Sequence, residues 1–166
     1  MIALGINDVK NFMNGMLAGT LFDPFLIVEG TLVTAVTYSF DGHINYDFYP
    51  ESEREQLRKY EYQPWSEFKR SALELIKGQN TPILMKFMFM LKPEKAIEML
   101  GREIPDTDLS NLKGLLVILK YENGAITLTT GTSYDTFVMS HDTDHVWDNN
   151  IKKYFSAKGI DFEVLS

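Results

Sequence analysis

Apolar residues recur along the chain at helical spacing and at strand spacing, and the two patterns predict a mixed α and β fold. The first helix is predicted from one apolar face at positions i, i+3, i+4, i+7 and i+8, which is formed by Val9, Phe12, Met13, Met16 and Leu17. Asn7 or Asp8 lies where a side chain caps the first turn. A short strand over residues 2–6 precedes this helix, and Gly19 offers a stop after it.

Four further helices are predicted between prolines and glycines that bound them. The first is a short polar helix after Pro50, where Glu51, Glu53 and Glu55 favour the positive helix start. The others carry apolar stripes and cover residues 65–77, 93–100 and 144–157. Gly78 ends the second of the four and Gly159 is the C′ residue of the last. In the last helix we expect a buried face with His145 on the opposite, exposed side, and that face holds Trp147, Ile151, Tyr154 and Phe155.

A first β-hairpin is predicted between the long strand 26–40 and residues 43–49. A two-residue turn at Asp41-Gly42 mixes polar and apolar side chains on one face, so a three-residue loop with Gly42 at positive φ is preferred. The resulting cross-strand pairs are Tyr38 with Ile44, Val36 with Tyr46 and Thr34 with Phe48.

A second β-hairpin is predicted between residues 112–121 and 125–130, with a two-residue turn at Asn123-Gly124 and both residues at positive φ. Its pairs are Tyr121 with Ile126, Leu119 with Leu128 and Val117 with Thr130. The other predicted strands cover residues 83–91, 134–140 and 160–164. The first of them carries one apolar face, formed by Met85, Phe87, Phe89 and Leu91.

The order strand, helix, hairpin occurs twice, starting at residues 2–17 and again at residues 86–100. These elements predict an α+β fold, in which four to five helices pack against a largely antiparallel sheet containing the two hairpins. Sliding-clamp subdomains are built from comparable units, but this likeness is one of layout and implies no function.

Length and composition predict one domain over residues 1–166. The chain has 45% apolar and 13% aromatic residues, enough for a core without cross-links. It has no cysteine, which excludes disulfides and thiolate zinc sites and fits a reducing compartment. The start lacks a basic region, and the longest aliphatic run, Leu115–Leu119, is about a quarter of the length that spans a bilayer. We therefore expect a soluble, cytoplasmic protein.

The net charge of −7 argues against general binding of nucleic acids, because neutralising phosphate supplies most of that affinity. The interval from Arg54 to Arg70 is locally rich in basic residues, and we interpret it as a solvated helix surface. No cofactor is predicted, and the sequence names neither a partner nor an oligomeric state.

The strongest candidate for metal binding is the segment His141-Asp142-Thr143-Asp144-His145. Two histidines four residues apart can share a helical face, so His141, Asp142, His145 and Asp148 are the candidate ligands. Against this, His141 is expected to precede the helix, and a positive helix start repels a cation. Capping of the helix by the acidic residues is the simpler interpretation.

A second candidate is His43, at the tip of the first predicted hairpin with Asp41 and Asp47. A general-base role lacks an identifiable nucleophile. The neighbouring aromatic residues line either a binding groove or the core, and the core is favoured for Tyr46, Phe48, Trp65 and Phe68.

The chain has no glycine-rich phosphate loop, no GxSxG elbow, no HExxH and no dinucleotide fingerprint. A non-enzymatic binding module is therefore the leading hypothesis, and a metal-dependent enzyme using the His141 segment is the alternative.

Several strings resemble a family of proteins of about this length in Firmicutes, which is known as a domain of unknown function. The strings are Phe22–Glu29, Tyr38–His43, Phe48-Tyr49, Pro64-Trp65 and Leu75–Pro82. The resemblance covers nearly the whole chain and implies a cytoplasmic bacterial protein. It supplies no activity and no catalytic residue.

Overall fold

The computed structural model describes residues 1–57 and 60–166 of the chain. The strands are β1 (Ala3–Ile6), β2 (Phe25–Val33), β3 (Thr37–Asp41), β4 (Gln63–Pro64), β5 (Leu84–Leu91), β6 (Leu112–Glu122), β7 (Ala125–Tyr134) and β8 (Phe162–Val164). The helices are α1 (Val9–Leu17), α2 (Glu51–Leu57), α3 (Trp65–Ile76), α4 (Pro93–Glu103) and α5 (Asp142–Ala157). The predicted α+β class is confirmed. The predicted basic interval from Arg54 to Arg70 includes Arg58 and Lys59, which lie outside the described residues.

The strands form one antiparallel sheet in the order β3-β2-β5-β6-β7-β1-β8, and β4 pairs with β2. The predicted succession of strand, helix and hairpin occurs as β1-α1-β2-β3 and as β5-α4-β6-β7. The two units differ in the sheet, however. In the second unit β5 and β6 are neighbours, whereas β5, β6 and β7 separate β1 from β2 in the first. The second unit is therefore inserted between the strands of the first.

Short sequence patterns correctly predicted the ends of several elements. Asp8 caps α1, and its carboxylate accepts a hydrogen bond from the main-chain N–H of Asn11. The second hairpin has the predicted pairs, with φ of 53° at Asn123 and 77° at Gly124. Gly159 follows α5 with a φ of 76°.

The predicted register of the first hairpin is wrong. β2 turns back at residues 34–36, so Leu32 lies opposite Tyr38 and Gly30 lies opposite Phe40. Residues 43–49 form no strand; His43 makes an isolated bridge to Tyr62, and residues 46–48 form a 3-10 turn. The segment 26–40 was too long for one strand, and its turn contains no glycine, proline or asparagine to mark it.

Gly42 does not have the predicted positive φ; Gly124 and Gly159 are the glycines that have one within the described ranges. Glycine is needed at position 42 for another reason. A Cβ atom there would lie 1.8 Å from the carbonyl oxygen of Ile27. The main chain of residue 42 thus passes against β2 at a distance that only glycine permits.

Helices α1, α3, α4 and α5 contribute side chains to one large apolar cluster with alternate residues of the strands. The predicted face of β5 is confirmed, since its four apolar side chains are buried. In α5, Trp147, Ile151 and Phe155 are buried and Tyr154 is half-buried, while His145 is exposed, also as predicted.

The strand predicted over residues 134–140 is wrong. β7 continues to Tyr134, and the residues that follow lead directly into α5, which begins at Asp142. Phe137 and Met139 in this connection are exposed, so their alternation does not mark a half-buried strand. Within the described ranges, no helix is both long enough and apolar enough to cross a membrane.

Candidate functional site around His43

The end of β3 is held between β2 and the residues that enter α3. The main-chain N–H of Gly42 donates to the carbonyl oxygen of Val28 over 2.7 Å, and the N–H of Gln63 donates to the carbonyl oxygen of Gly42 over 2.9 Å. His43 follows at once and forms its bridge to Tyr62. The position of His43 is therefore set by main-chain contacts on both sides.

Both nitrogens of the His43 ring lie against carboxylates. Nδ1 is 2.7 Å from Oδ1 of Asp41, and Nε2 is 3.1 Å from Oε1 of Glu61. The same Asp41 oxygen accepts the main-chain N–H of His43 over 2.9 Å. The ring centroid of His43 also lies 4.4 Å from that of Tyr62, with the rings tilted by 54°. Glu61 is 18 residues from His43 in the chain, so sequence spacing did not reveal this contact.

These contacts favour the protonated imidazolium. The hydrogen bond to Asp41 raises the pKa of His43, slight burial opposes it, and the hydrogen bond to Glu61 raises it further. The main-chain N–H and then the ring of His43 lower the pKa of Asp41. Because both ring nitrogens face carboxylates, neither has a free lone pair to accept a substrate proton while this arrangement persists.

A third carboxylate lies beside this cluster. Glu29 is directly opposite Asp41 in the pairing of β2 with β3. Burial raises the pKa of the Tyr62 phenol, and the negative charges of Glu61, Asp41 and Glu29 raise it further. Like charges in directly opposed positions repel, so this region is suited to contact with a positive charge.

An open concavity of about 230 Å³ adjoins His43. Its lining includes Asp41, Tyr49 and Phe68, together with Phe48, which is 81% exposed. The rings of Phe48 and Tyr49 meet in a T-shaped contact with 5.2 Å between centroids. We call the set Asp41, His43, Phe48, Tyr49 and Glu61 the His43 surface.

The predicted core role of the aromatic residues is confirmed for Trp65, which is fully buried and donates its indole N–H to the Met16 carbonyl oxygen over 2.8 Å. Phe68 packs against the core and Tyr46 is half-buried. The expectation is wrong for Phe48, because residues 46–48 form a surface turn rather than a strand paired with β3.

The candidate metal ligands around α5 make separate contacts. His141 precedes the helix, as expected, and its Nδ1 lies 3.1 Å from Oδ2 of Asp144. Burial alone would raise the pKa of Asp144, but hydrogen bonds from Thr132 and His141 outweigh it and lower the pKa. Asp142 and His145 are exposed. In the described part of the chain, no group of three or more His, Asp or Glu residues is arranged to hold a metal ion.

Asp148, the fourth candidate ligand, is buried and has partners for both oxygens. Oδ1 accepts the hydroxyl of Thr130 over 2.5 Å, and Oδ2 lies 3.0 Å from the amino group of Met1. The Thr130 oxygen in turn accepts the main-chain N–H of Ile2 over 2.9 Å. These contacts join α5 to β7 and to the start of the chain.

Comparison with known proteins matched the chain to a protein family. Residues 15–163 correspond to a family described as a family of unknown function, DUF5721, and this range contains every string that carries the resemblance. Neither the curated proteins nor the solved structures contain a match to this chain.

Proposed function

We propose that this chain, which belongs to DUF5721, a family of unknown function, is a non-enzymatic interaction module. Its partner presents a positively charged segment with a neighbouring apolar side chain. The His43 surface binds this segment. We further propose that residues 1–166 act as one domain in the cytoplasm.

The exposure of Phe48 carries this proposal. A phenylalanine that is 81% exposed leaves most of its apolar area in water, yet it borders a concavity of about 230 Å³. Aromatic residues, including Phe, are enriched in the cores of protein interfaces, where a few buried anchors carry most of the binding energy. Covering the ring removes that area from water, which is favourable at about 25 cal/mol per Å².

The negative charge around His43 supports a positively charged partner. Asp41, Glu61 and Glu29 contribute three negative charges, and a protonated His43 balances one of them. Lysine or arginine beside an apolar residue matches this distribution. The carboxylates are exposed, so we expect them to affect the association rate and its salt dependence more than the final affinity.

Binding is tested with short peptides in which leucine alternates with lysine, compared with peptides in which glutamate replaces lysine, using fluorescence anisotropy. We expect the basic peptide to bind more tightly, and Phe48→Ala to weaken it about tenfold. Phe137→Ala is the matched control, because Phe137 is 90% exposed elsewhere on the chain. Equal binding of both peptides, or equal loss in both variants, contradicts the proposal.

The metal-dependent enzyme remains a prediction, with its own discriminating measurement. Elemental analysis of the purified protein is combined with thermal melts in Zn²⁺, Mn²⁺ or EDTA. A metal bound by the native state raises the melting temperature by mass action. A rise with one metal that is lost in His141→Ala would favour the enzyme over the interaction module.

A further inference from the structure

A second concavity, of about 260 Å³, lies between α4 and α5 and shares no residue with the His43 surface. Its floor is apolar and is drawn from four elements. The floor residues are Phe25 of β2, Leu91 of β5, Met99 of α4, and Trp147 and Ile151 of α5. We call this concavity the α4–α5 cleft. At about 30 Å³ per water-sized group, its volume suits a small organic molecule of roughly nine non-hydrogen atoms.

Hydrogen bonds fix two of the α5 side chains that line the cleft. The Trp147 indole N–H donates to the Leu116 carbonyl oxygen over 2.9 Å, and the Tyr154 hydroxyl donates to the Leu21 carbonyl oxygen over 2.7 Å. Burial, and then the charge of Asp23, raise the pKa of Tyr154 to about 12, so the phenol stays a neutral donor. A cleft with a fixed apolar floor binds a small ligand at little cost in ordering.

The rim of the cleft carries charge on one face of α4. Lys95, Glu98 and Arg102 are separated by three and four residues, which places them on the same side of the helix, and all three line the cleft. Oε1 of Glu98 lies 3.6 Å from Nη1 of Arg102, so these two charges offset each other. The Lys95 ammonium makes no hydrogen bond or ion pair with any residue that the structure describes.

We propose that the α4–α5 cleft binds a small carboxylate with an apolar body. The apolar part lies over the floor between Met99 and Trp147, and the carboxylate lies at the rim beside Lys95. Lysine suits this role because its flexible side chain follows the head group of the ligand. This site is independent of the His43 surface.

The test uses octanoate, octanol and octylamine, which share an eight-carbon chain and differ in charge. Binding is followed by the ¹⁵N–¹H resonance of the Trp147 indole, assigned with Trp147→Phe. We expect octanoate to shift this resonance and to bind more tightly than octanol, and octylamine to bind most weakly. Lys95→Ala should weaken octanoate about fivefold and leave octanol unchanged, whereas Lys10→Ala on α1 should change neither.

Variants that block the cleft test where the ligand binds, independently of the effect of its charge. Glu98→Trp places a large ring at the cleft and should abolish the binding of octanoate and octanol, whereas Ile97→Trp should not, because Ile97 is exposed and does not line the cleft. Thermal melts check that each variant folds. Equal affinity for octanoate and octylamine, or binding unaffected by Glu98→Trp, overturns the proposal.

Discussion

The indole N–H of Trp147 donates a hydrogen bond to the main-chain carbonyl oxygen of Leu116, 2.9 Å away. This bond joins α5 to β6, a strand in the interior of the sheet. Trp147 is 3% exposed, so the bond and the packing of the ring act together. α5 is thereby fixed relative to the sheet at the point where it borders the α4–α5 cleft.

Substitutions of Trp147 should separate packing from hydrogen bonding. We expect Trp147→Ala to lower the free energy of unfolding by about 3–5 kcal/mol, because it leaves a cavity. Trp147→Phe should cost about 1–3 kcal/mol, since a ring is kept but the Leu116 carbonyl loses its donor. Urea denaturation measures both, with the exposed His145→Ala as control within about 0.5 kcal/mol. A near-neutral Trp147→Ala would show that the site is not closed core.

Three glycine substitutions should differ because the positions differ in space and in φ. Gly42→Ala should cost at least about 3 kcal/mol, since its Cβ would meet the main chain of Ile27 at 1.8 Å. Gly124→Ala has room but a φ of 77°, so about 1–2 kcal/mol is expected. Gly78→Ala has neither constraint and should be neutral or stabilising. Denaturation midpoints that reverse this order would refute the close approach at Gly42.

Removal of the Thr130 hydroxyl should destabilise the protein. Thr130→Val keeps the shape of the side chain, but leaves the buried Asp148 without its 2.5 Å donor and the Ile2 N–H without its acceptor. We expect a loss of about 2–3 kcal/mol in the free energy of unfolding. Thr129→Val is the matched control, because the neighbouring side chain points to the other face of the strand. Equal effects of the two variants would contradict the role of this network.

The ionisation of His43 should depend on its two carboxylate partners. We expect an NMR titration to place its pKa above the ordinary 6.5, and Asp41→Asn or Glu61→Gln to lower it. Glu163→Gln should leave it unchanged. The stabilisation of the folded state by protonated His43 is fully present below pH 6.5. It is lost as the pH rises through the raised pKa that His43 has in the folded state. An unshifted pKa in the native protein would show that the ring does not engage both carboxylates in solution.

The pairing of Asp41 with His43 should also have an acid limit. The pKa of Asp41 is lowered in the folded state, so the ionised carboxylate stabilises the fold above the ordinary pKa of 3.8. This stabilisation is lost as the pH falls through the lowered pKa of the folded state. The His43 side chain is half exposed and that of Asp41 is mostly exposed, so NMR titration is the measurement to use rather than a melting temperature.

Short-range patterns alone determined the elements whose signals are complete within a few residues. Asp8 begins α1, Asn123-Gly124 sets a two-residue turn, and alternation of period two defines the buried face of β5. The buried side of α5 followed from helical spacing in the same way. Each of these features depends on residues that are neighbours in the sequence, and the tertiary contacts are consistent with these local preferences.

Only the tertiary structure decided where β2 turns back, because residues 34–36 lack the residue types that mark a turn. Packing decides that position instead: the ring of Phe40 occupies the space that a side chain on Gly30 would need, and β2 has an irregular register between Ile27 and Glu29. Both candidate sites also depend on distant residues. Glu61 reaches His43, and the α4–α5 cleft gathers side chains from four elements. Such contacts arise when long-range packing brings separate segments together, and the spacing of residues along the chain does not encode them.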